Sequence, residues 1–293
     1  MFRDPCRNLR QRVYFHNNNL SSLPPLSGTP SNVRFFGISN NSIEAPLDDA
    51  LCNHFPKLEA LIISKNKFYG AFPECLGNIG TLVQLILSEN NITGPLPPSF
   101  GENLPNMTQF KASSNPIGGI LPDGLTKATG LSTLQLSNAS FVGTMPSSYG
   151  KLAGLTTFDF SNNILSGTIP QSFERMLGLM LTFDGSFNQL TGAVPNFTTG
   201  AFHLSLKGNN LQTLPEEWRT NGTSSGFTNI MELSNNSLSG LFPYNLNRTC
   251  KFLRYLDIAY NHFSGPLPSP PNALDNFFAN LFVLNASHNH FSG

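Results

Sequence analysis

Charge is scarce in this sequence: of 293 residues only 12% are Asp, Glu, Lys or Arg, and the two signs balance at 17 each. A balanced chain has no excess of cations to displace counterions from a phosphate backbone or to hold an anionic membrane, which argues against nucleic acid and lipid headgroups as partners. Long apolar runs are missing as well. A membrane helix needs about 18 apolar residues or more, and the best stretch, Phe277 to Leu284, is short and broken by Asn280. The opening MFRDPCRNLRQRVYF carries charge where a secretory leader requires an apolar run of about 7 to 15 residues, so no signal peptide is read there.

Catalytic and metal signatures are equally absent. The nearest text to a phosphate-binding loop, GTMPSSYGKL, has six residues between its glycines and Leu152 after Lys151, where that loop needs four residues and then Ser or Thr. There is no Gly-x-Ser-x-Gly leading from a strand into a helix, and no carboxylate pair stands apart from the repeat pattern. His288 and His290 flank Asn289 as two potential ligands without a third. We therefore expect no enzyme, no catalytic residue, no cofactor and no metal.

What is present is a repeat. TLVQLILSENNITGPLP (81–97), GLTTFDFSNNILSGTIP (154–170) and FLRYLDIAYNHFSGPLP (252–268) superimpose without gaps. The Asn of L-x-x-L-x-L-x-x-N-x-L recurs at Asn18, Asn41, Asn66, Asn90, Asn115, Asn163, Asn188, Asn209, Asn236, Asn261 and Asn289, with Ala139 standing in once. That makes about twelve coils, each about 24.6 residues long on average, in a single domain over 1–293 that turns irregular near 195–228. The L-x-L core alternates as a half-buried strand does, so each coil contributes one short parallel strand and relies on its neighbours to cover its leucines. The Asn has two amide donors and one acceptor, enough to satisfy backbone groups in its own loop and in the next coil. At Ala139 those groups need another partner, at a cost of about 1–3 kcal/mol if they stay unpaired, which makes a local weak point. Gly and Pro in the following L-x-G-x-x-P shape the exit from the strand.

The full pattern, L-x-x-L-x-L-x-x-N-x-L-x-G-x-I-P, is nearly intact in seven or eight coils and resembles the plant-type leucine-rich repeat of receptor-like kinases, receptor-like proteins and polygalacturonase-inhibiting proteins. The resemblance implies an α/β solenoid: a right-handed superhelix with a parallel sheet on its concave face, a short extra strand beside it, and irregular or 3-10 turns on the convex side. It also implies extracellular or cell-surface placement, in signalling or plant defence. Against that family the chain looks incomplete at both ends, and Cys6 stands alone near the start. Cys52 and Cys75 fall at similar places on adjacent coils, which leaves a bridge or two buried thiols open; the run LCNHFPKLEALIISKNKFYGAFPECLGNI resembles a family Cys pair and implies the disulfide. Cys250 is read as a small buried hydrophobe.

Asn is abundant, and sequons begin at Asn19, Asn40, Asn91, Asn106, Asn138, Asn196, Asn221, Asn235, Asn247 and Asn285, as in a secreted glycoprotein. The contact surface is expected on the outward strand residues, which packing leaves free. Their central column reads Tyr14, Gly37, Ile62, Ile86, Lys111, Gln135, Asp159, Asp184, Ser205, Glu232, Asp257 and Asn285. Carboxylates gather in its second half and suggest a cationic partner, such as a peptide with Lys or Arg, although Asp here also belongs to the ordinary repeat. Exposed aromatics are expected alongside, at Phe187, Phe202, Tyr255, Tyr260 and Phe282. The best candidate residues are Asp159, Asp184, Glu232, Arg254, Tyr255, Asp257 and Tyr260, with a glycan on Asn285 limiting access beyond them. The function expected is a non-catalytic binding module for a protein or peptide ligand, a co-receptor ectodomain or a glycan. The alternatives are a secreted inhibitor of a cell-wall-degrading enzyme and a truncated product without function.

Overall fold

The computed structural model describes residues 11–23, 26, 29–176, 180–196, 201–215, 228–243, 246, 252–267 and 281–293. The chain forms two compact units, Met1–Val142 and Gly143–Gly293. Each is a stack of coils with one parallel strand per coil. The first unit holds β1 (Arg12–Tyr14), β2 (Phe35–Gly37), β3 (Ala60–Ile62), β4 (Gln84–Ile86), β5 (Gln109–Lys111) and β6 (Thr133–Gln135). The second holds β7 (Thr157–Asp159), β8 (Thr182–Asp184), β9 (His203–Ser205), β10 (Ile230–Glu232), β11 (Tyr255–Asp257) and β12 (Val283–Asn285). Strand order follows chain order, as expected when every coil repeats one unit.

The middle residue of each strand points inward and lies in register with its neighbours. Phe36, Leu61, Leu85, Phe110 and Leu134 line up in the first unit, and Phe158, Phe183, Leu204, Met231 and Leu256 in the second. All of them are buried. Phenylalanines from strands and turns meet behind this row: Phe100 packs on Phe72 and Phe110, and Phe158, Phe160, Phe173 and Phe183 form a second cluster. Each such ring contributes about 1.5–3 kcal/mol by leaving water.

The Asn ladder behaves as its chemistry requires. The Asn115 amide donates to the carbonyls of Leu87, Ala112 and Ser113 at 3.1, 3.2 and 3.4 Å, while its oxygen accepts from the Ile92 N–H of the preceding coil at 3.0 Å. Asn66, Asn90, Asn188, Asn209, Asn236, Asn261 and Asn289 repeat the arrangement. At Ala139 the coil closes differently. The Ile117 N–H turns to the Asn115 carbonyl at 2.8 Å, and the Ala139 carbonyl accepts from the Gly118 N–H at 2.8 Å. The N–H that an anchor amide oxygen would otherwise take is thus met by main chain.

Beyond the anchors runs a second set of strands: Tyr69–Ala71 and Asn91–Thr93 in the first unit, and in the second Ile164–Thr168, Gln189–Ala193 and Asn210–Thr213, then Ser239–Gly240, His262–Pro266 and His290–Ser292. Gly167 and Gly192 take φ of 74° and 80°, and a Cβ on either would meet the Thr methyl of the preceding coil at 3.0 or 2.8 Å. Backbone conformation and space both demand glycine there. The pairing slips after Gly192, where Ala193 lies opposite Thr213.

On the side away from the strands, 3-10 turns cover Glu74–Asn78, Asp123–Lys127, Ser147–Lys151 and Gln171–Arg175. Asp49–His54 instead forms an α-helix, which the expectation of irregular or 3-10 turns did not include; the Asp48 carboxylate caps it by accepting from the Ala50 N–H at 3.0 Å. Cys52 on this helix and Cys75 on the next coil form a disulfide with Cα atoms 6.1 Å apart. Cys6, Cys250, Asn221, Asn247 and, within 195–228, residues 197–200 and 216–227 lie outside the described residues.

Candidate functional site

The third strand position forms the acidic column, and the register confirms its neighbours: Asp159 beside Asp184, Asp184 beside Ser205, Ser205 beside Glu232, Glu232 beside Asp257, and Asp257 beside Asn285. Parallel neighbours sit about 4.8 Å apart. The column is not a continuous acidic ridge. Ser205 is only 1% exposed and separates the carboxylates into two pairs.

Each Asp also works locally. Asp159 accepts from the Ser161 N–H at 3.0 Å and hydroxyl at 2.8 Å, Asp184 from the Ser186 N–H at 2.9 Å, and Asp257 from the Ala259 N–H at 3.1 Å. These bonds tie off the turn after the strand, so one carboxylate oxygen serves the fold. Asn285 does the same, accepting from the Ser287 hydroxyl at 2.8 Å. Burial pushes the Asp184 carboxyl above its ordinary range against the pull of the Ser186 bonds, and the charge of Asp159 adds to the rise.

Glu232 differs from the rest. The His203 ring lies 3.0 Å from one of its oxygens and the Lys207 ammonium donates to the other at 3.3 Å. The bond to His203 leads in holding Glu232 down at about 2, with the Lys207 charge helping, and the same bond raises His203 above its ordinary value. Glu232 is thus the centre of a neutralised triad. Lys207 also sits 5.7 Å over the Phe187 ring. Neither His203 nor Lys207 belongs to the outward column read from the sequence. The missed signal was diagonal: His203 opens β9 and Glu232 closes β10, and diagonal neighbours on one sheet face lie within reach of long side chains.

The aromatics divide between the two ends of the strands. Phe202 and Phe282 precede β9 and β12 and are 50% and 78% exposed. Arg254 precedes β11 and stacks over Phe282 at 5.4 Å. Phe187 and Tyr260 lie past the strands, each directly before an anchor Asn, with φ of 54° and 53°. A side chain in that left-handed conformation costs about 1–2 kcal/mol. Tyr260 is exposed and stacks on His288 at 4.1 Å, while His290 stacks on His262 at 5.7 Å, so the two histidines of the His288 and His290 pair engage different partners. Tyr255 is half-buried, and its hydroxyl is raised by burial and by the charges of Asp257 and Glu232. The structure therefore brings Glu232, Tyr255 and Asp257 together, with Arg254 and Tyr260 at opposite ends of β11.

Among the described residues no three His, Cys, Asp or Glu could hold a metal ion, and no helix is long and apolar enough to cross a membrane.

The family model described as Leucine Rich Repeat matches residues 81–103, 154–176 and 252–274. Among solved structures, the chain is similar to the Arabidopsis receptor kinase HAESA, solved with the peptide hormone IDA and the co-receptor SERK1, at a TM-score of 0.81 and 30% identity over 95% of this chain and 46% of that one. It is similar to the plant peptide hormone receptor RGFR1, solved with RGF2, at a TM-score of 0.83 and 28% identity over 95% of this chain and 43% of that one. A curated relative, osteomodulin of Bos taurus, is 39% identical over 69 residues, 24% of this chain and 15% of that protein. The chain thus spans less than half the length of these proteins. Three of its coils match the leucine-rich repeat, and its solenoid is similar to those of plant receptor kinases.

Proposed function

We propose that this plant-type leucine-rich-repeat solenoid is an extracellular recognition module, part of a receptor in signalling or defence, that binds a peptide bearing Lys or Arg along the strand face of its second unit. The observation that carries the reading is the acidic column: Asp159 lies beside Asp184, and Asp257 stands further along the same outward sheet face, beside a Glu232 whose own charge is met by His203 and Lys207. Asp159 and Asp257 each spend one oxygen on the local turn, which leaves the other to a cationic side chain. Burial close to a second carboxylate makes Asp184 costly to keep ionised alone, and a bound ammonium or guanidinium relieves that cost. Exposed Phe187, Tyr260 and Phe282 at the margins supply the apolar area that anchors a peptide. HAESA and RGFR1, solved with peptide ligands, support the class of partner.

The test compares short peptides rich in Lys and Arg with matched peptides carrying Glu, against the wild-type chain and the triple variant Asp159→Lys, Asp184→Lys, Asp257→Lys. Basic peptides should bind the wild type at least about tenfold better, an advantage of about 1.4 kcal/mol, and that advantage should fall with salt and reverse in the triple variant. Equal binding of basic and acidic peptides, or indifference to the charge reversal in a folded variant, removes the reading.

A further inference from the structure

The first unit carries a second feature that the acidic column does not involve. A cleft of about 620 Å³ opens beside its anchors, lined by Glu44, Lys67, Tyr69, Glu89, Asn91 and Ser114 from consecutive coils. Its floor is finished: the Asn66 and Asn90 amides are committed to carbonyls of the ladder, and Tyr69 and Asn91 are register partners in the paired second strands. A peptide seeking main-chain bonds finds that backbone already paired. Of the side chains above it, the Ser114 hydroxyl accepts from the Asn138 amide at 3.4 Å and the others are largely unspent. Tyr69 is 43% exposed, and Glu44, Lys67, Tyr69 and Asn91 make no side-chain hydrogen bond or ion pair among the described residues. Glu89 is 3.6 Å from Lys65, which lowers the net charge the cleft presents.

We propose that this cleft is a saccharide-binding site. A sugar ring offers an apolar face of C–H groups and an equatorial belt of hydroxyls that both donate and accept. The cleft matches it with one exposed aromatic face, carboxylate acceptors, an ammonium donor, an amide and a hydroxyl, near charge balance. The volume lies within the roughly 300–1,000 Å³ of small-molecule sites. Asn91 also opens the sequon Asn91-Ile92-Thr93 and is exposed. The same chemistry therefore has two sources: the first sugars of a glycan built on Asn91, or a free oligosaccharide. The site stands apart from the peptide reading, since none of its residues belongs to the second unit.

The experiment uses the full chain secreted from a eukaryotic host. In one arm, Asn91 occupancy is measured by glycopeptide mass spectrometry and the glycan is trimmed by an endoglycosidase under native conditions, with and without Tyr69→Leu, which keeps bulk and removes the aromatic face. In the other, the Thr93→Ala chain, bare at Asn91, is titrated with the N-acetylglucosamine dimer and with cellobiose, observed by saturation transfer, again with and without Tyr69→Leu. An occupied Asn91 whose glycan is trimmed about tenfold faster in the Leu variant assigns the cleft to its own glycan. Transfer to a free disaccharide with affinity about tenfold lower in the Leu variant, the loss of about 1.4 kcal/mol, assigns it to an external sugar. If Tyr69→Leu alters neither readout while circular dichroism shows native structure, the cleft is not a saccharide site.

Discussion

At the third position of its strands the first unit presents Tyr14, Gly37, Ile62, Ile86, Lys111 and Gln135, whereas the second presents Asp159, Asp184, Ser205, Glu232, Asp257 and Asn285. The left-handed residue before each anchor differs in the same way. It is Asn17, Asn40, Lys65, Glu89, Ser114 and Asn138 in the first unit, but Phe187, Tyr260 and His288 join Asn162 and Asn235 in the second. The buried rows show no such divergence: the first is Leu and Phe, the second Leu and Phe with Met231, each in register beside its anchor Asn residues. Two surfaces with different chemistry thus rest on one packing scheme. Binding specificity can vary where side chains face water, while the positions that keep neighbouring coils dry stay uniform. The second unit also tolerates strained aromatics at positions where the first mostly uses polar residues. Backbone strain that persists at an exposed ring is a pointer to function.

The sharpest break of the comparison is at its common base. Phe183→Ala in the second unit and Phe110→Ala in the first should each lower stability by about 3–5 kcal/mol, since both rings are fully buried; chemical denaturation should give similar losses for the two. A much smaller loss in either unit would show that the shared packing scheme does not hold there. Removing the disulfide with Cys52→Ala and Cys75→Ala should cost about 2–4 kcal/mol, and hydrogen exchange should place the loosening in the first unit, where both cysteines lie.

Smaller effects separate the surfaces. Phe187→Asn relieves a left-handed residue with φ of 54° and should raise stability by about 0.5–1 kcal/mol, while weakening peptide binding to the second unit. Gain in stability with unchanged binding would take Phe187 out of the contact surface. The smallest effect is that of pH. His203 is raised above 6.5, so its contribution is complete below that value and is lost as pH climbs through the folded-state value; Glu232, lowered from 4.5 to about 2, contributes above 4.5 and loses it as pH falls towards about 2. The pair should support the second unit best between about pH 4.5 and 6.5. His203→Gln should flatten the decline in melting temperature above that window, and an unchanged profile would show that the triad does not contribute.

The solenoid was legible because its signal is repeated. The spacing of Leu and Asn located the anchors, the register of Asp159 with Asp184 and of Glu232 with Asp257 followed from aligning L-x-L, and the same alignment marked Ala139 as the odd coil. Its remedy was not legible, because the Ile117 N–H meets the Asn115 carbonyl through a local twist that no residue type announces. The helix Asp49–His54 escaped for a related reason: six residues are too few for a period to show, and only Asp48 and Asp49 at its start hint at it.

Repetition in the sequence by itself determined the coil, the parallel strand, the buried leucines and the column of outward residues, because apolar burial and backbone pairing leave a period-bearing chain no other arrangement. Only the tertiary structure decided which outward residues are free to act. It joined Glu232 to His203 and Lys207 across adjacent strands, sank Ser205 between two pairs of acids, and gathered Glu44, Lys67, Tyr69 and Asn91 around one cleft. The physical reason is that charge pairing and cleft formation depend on distances of a few ångströms between residues more than twenty apart in the chain, and those distances exist only once the coils are stacked.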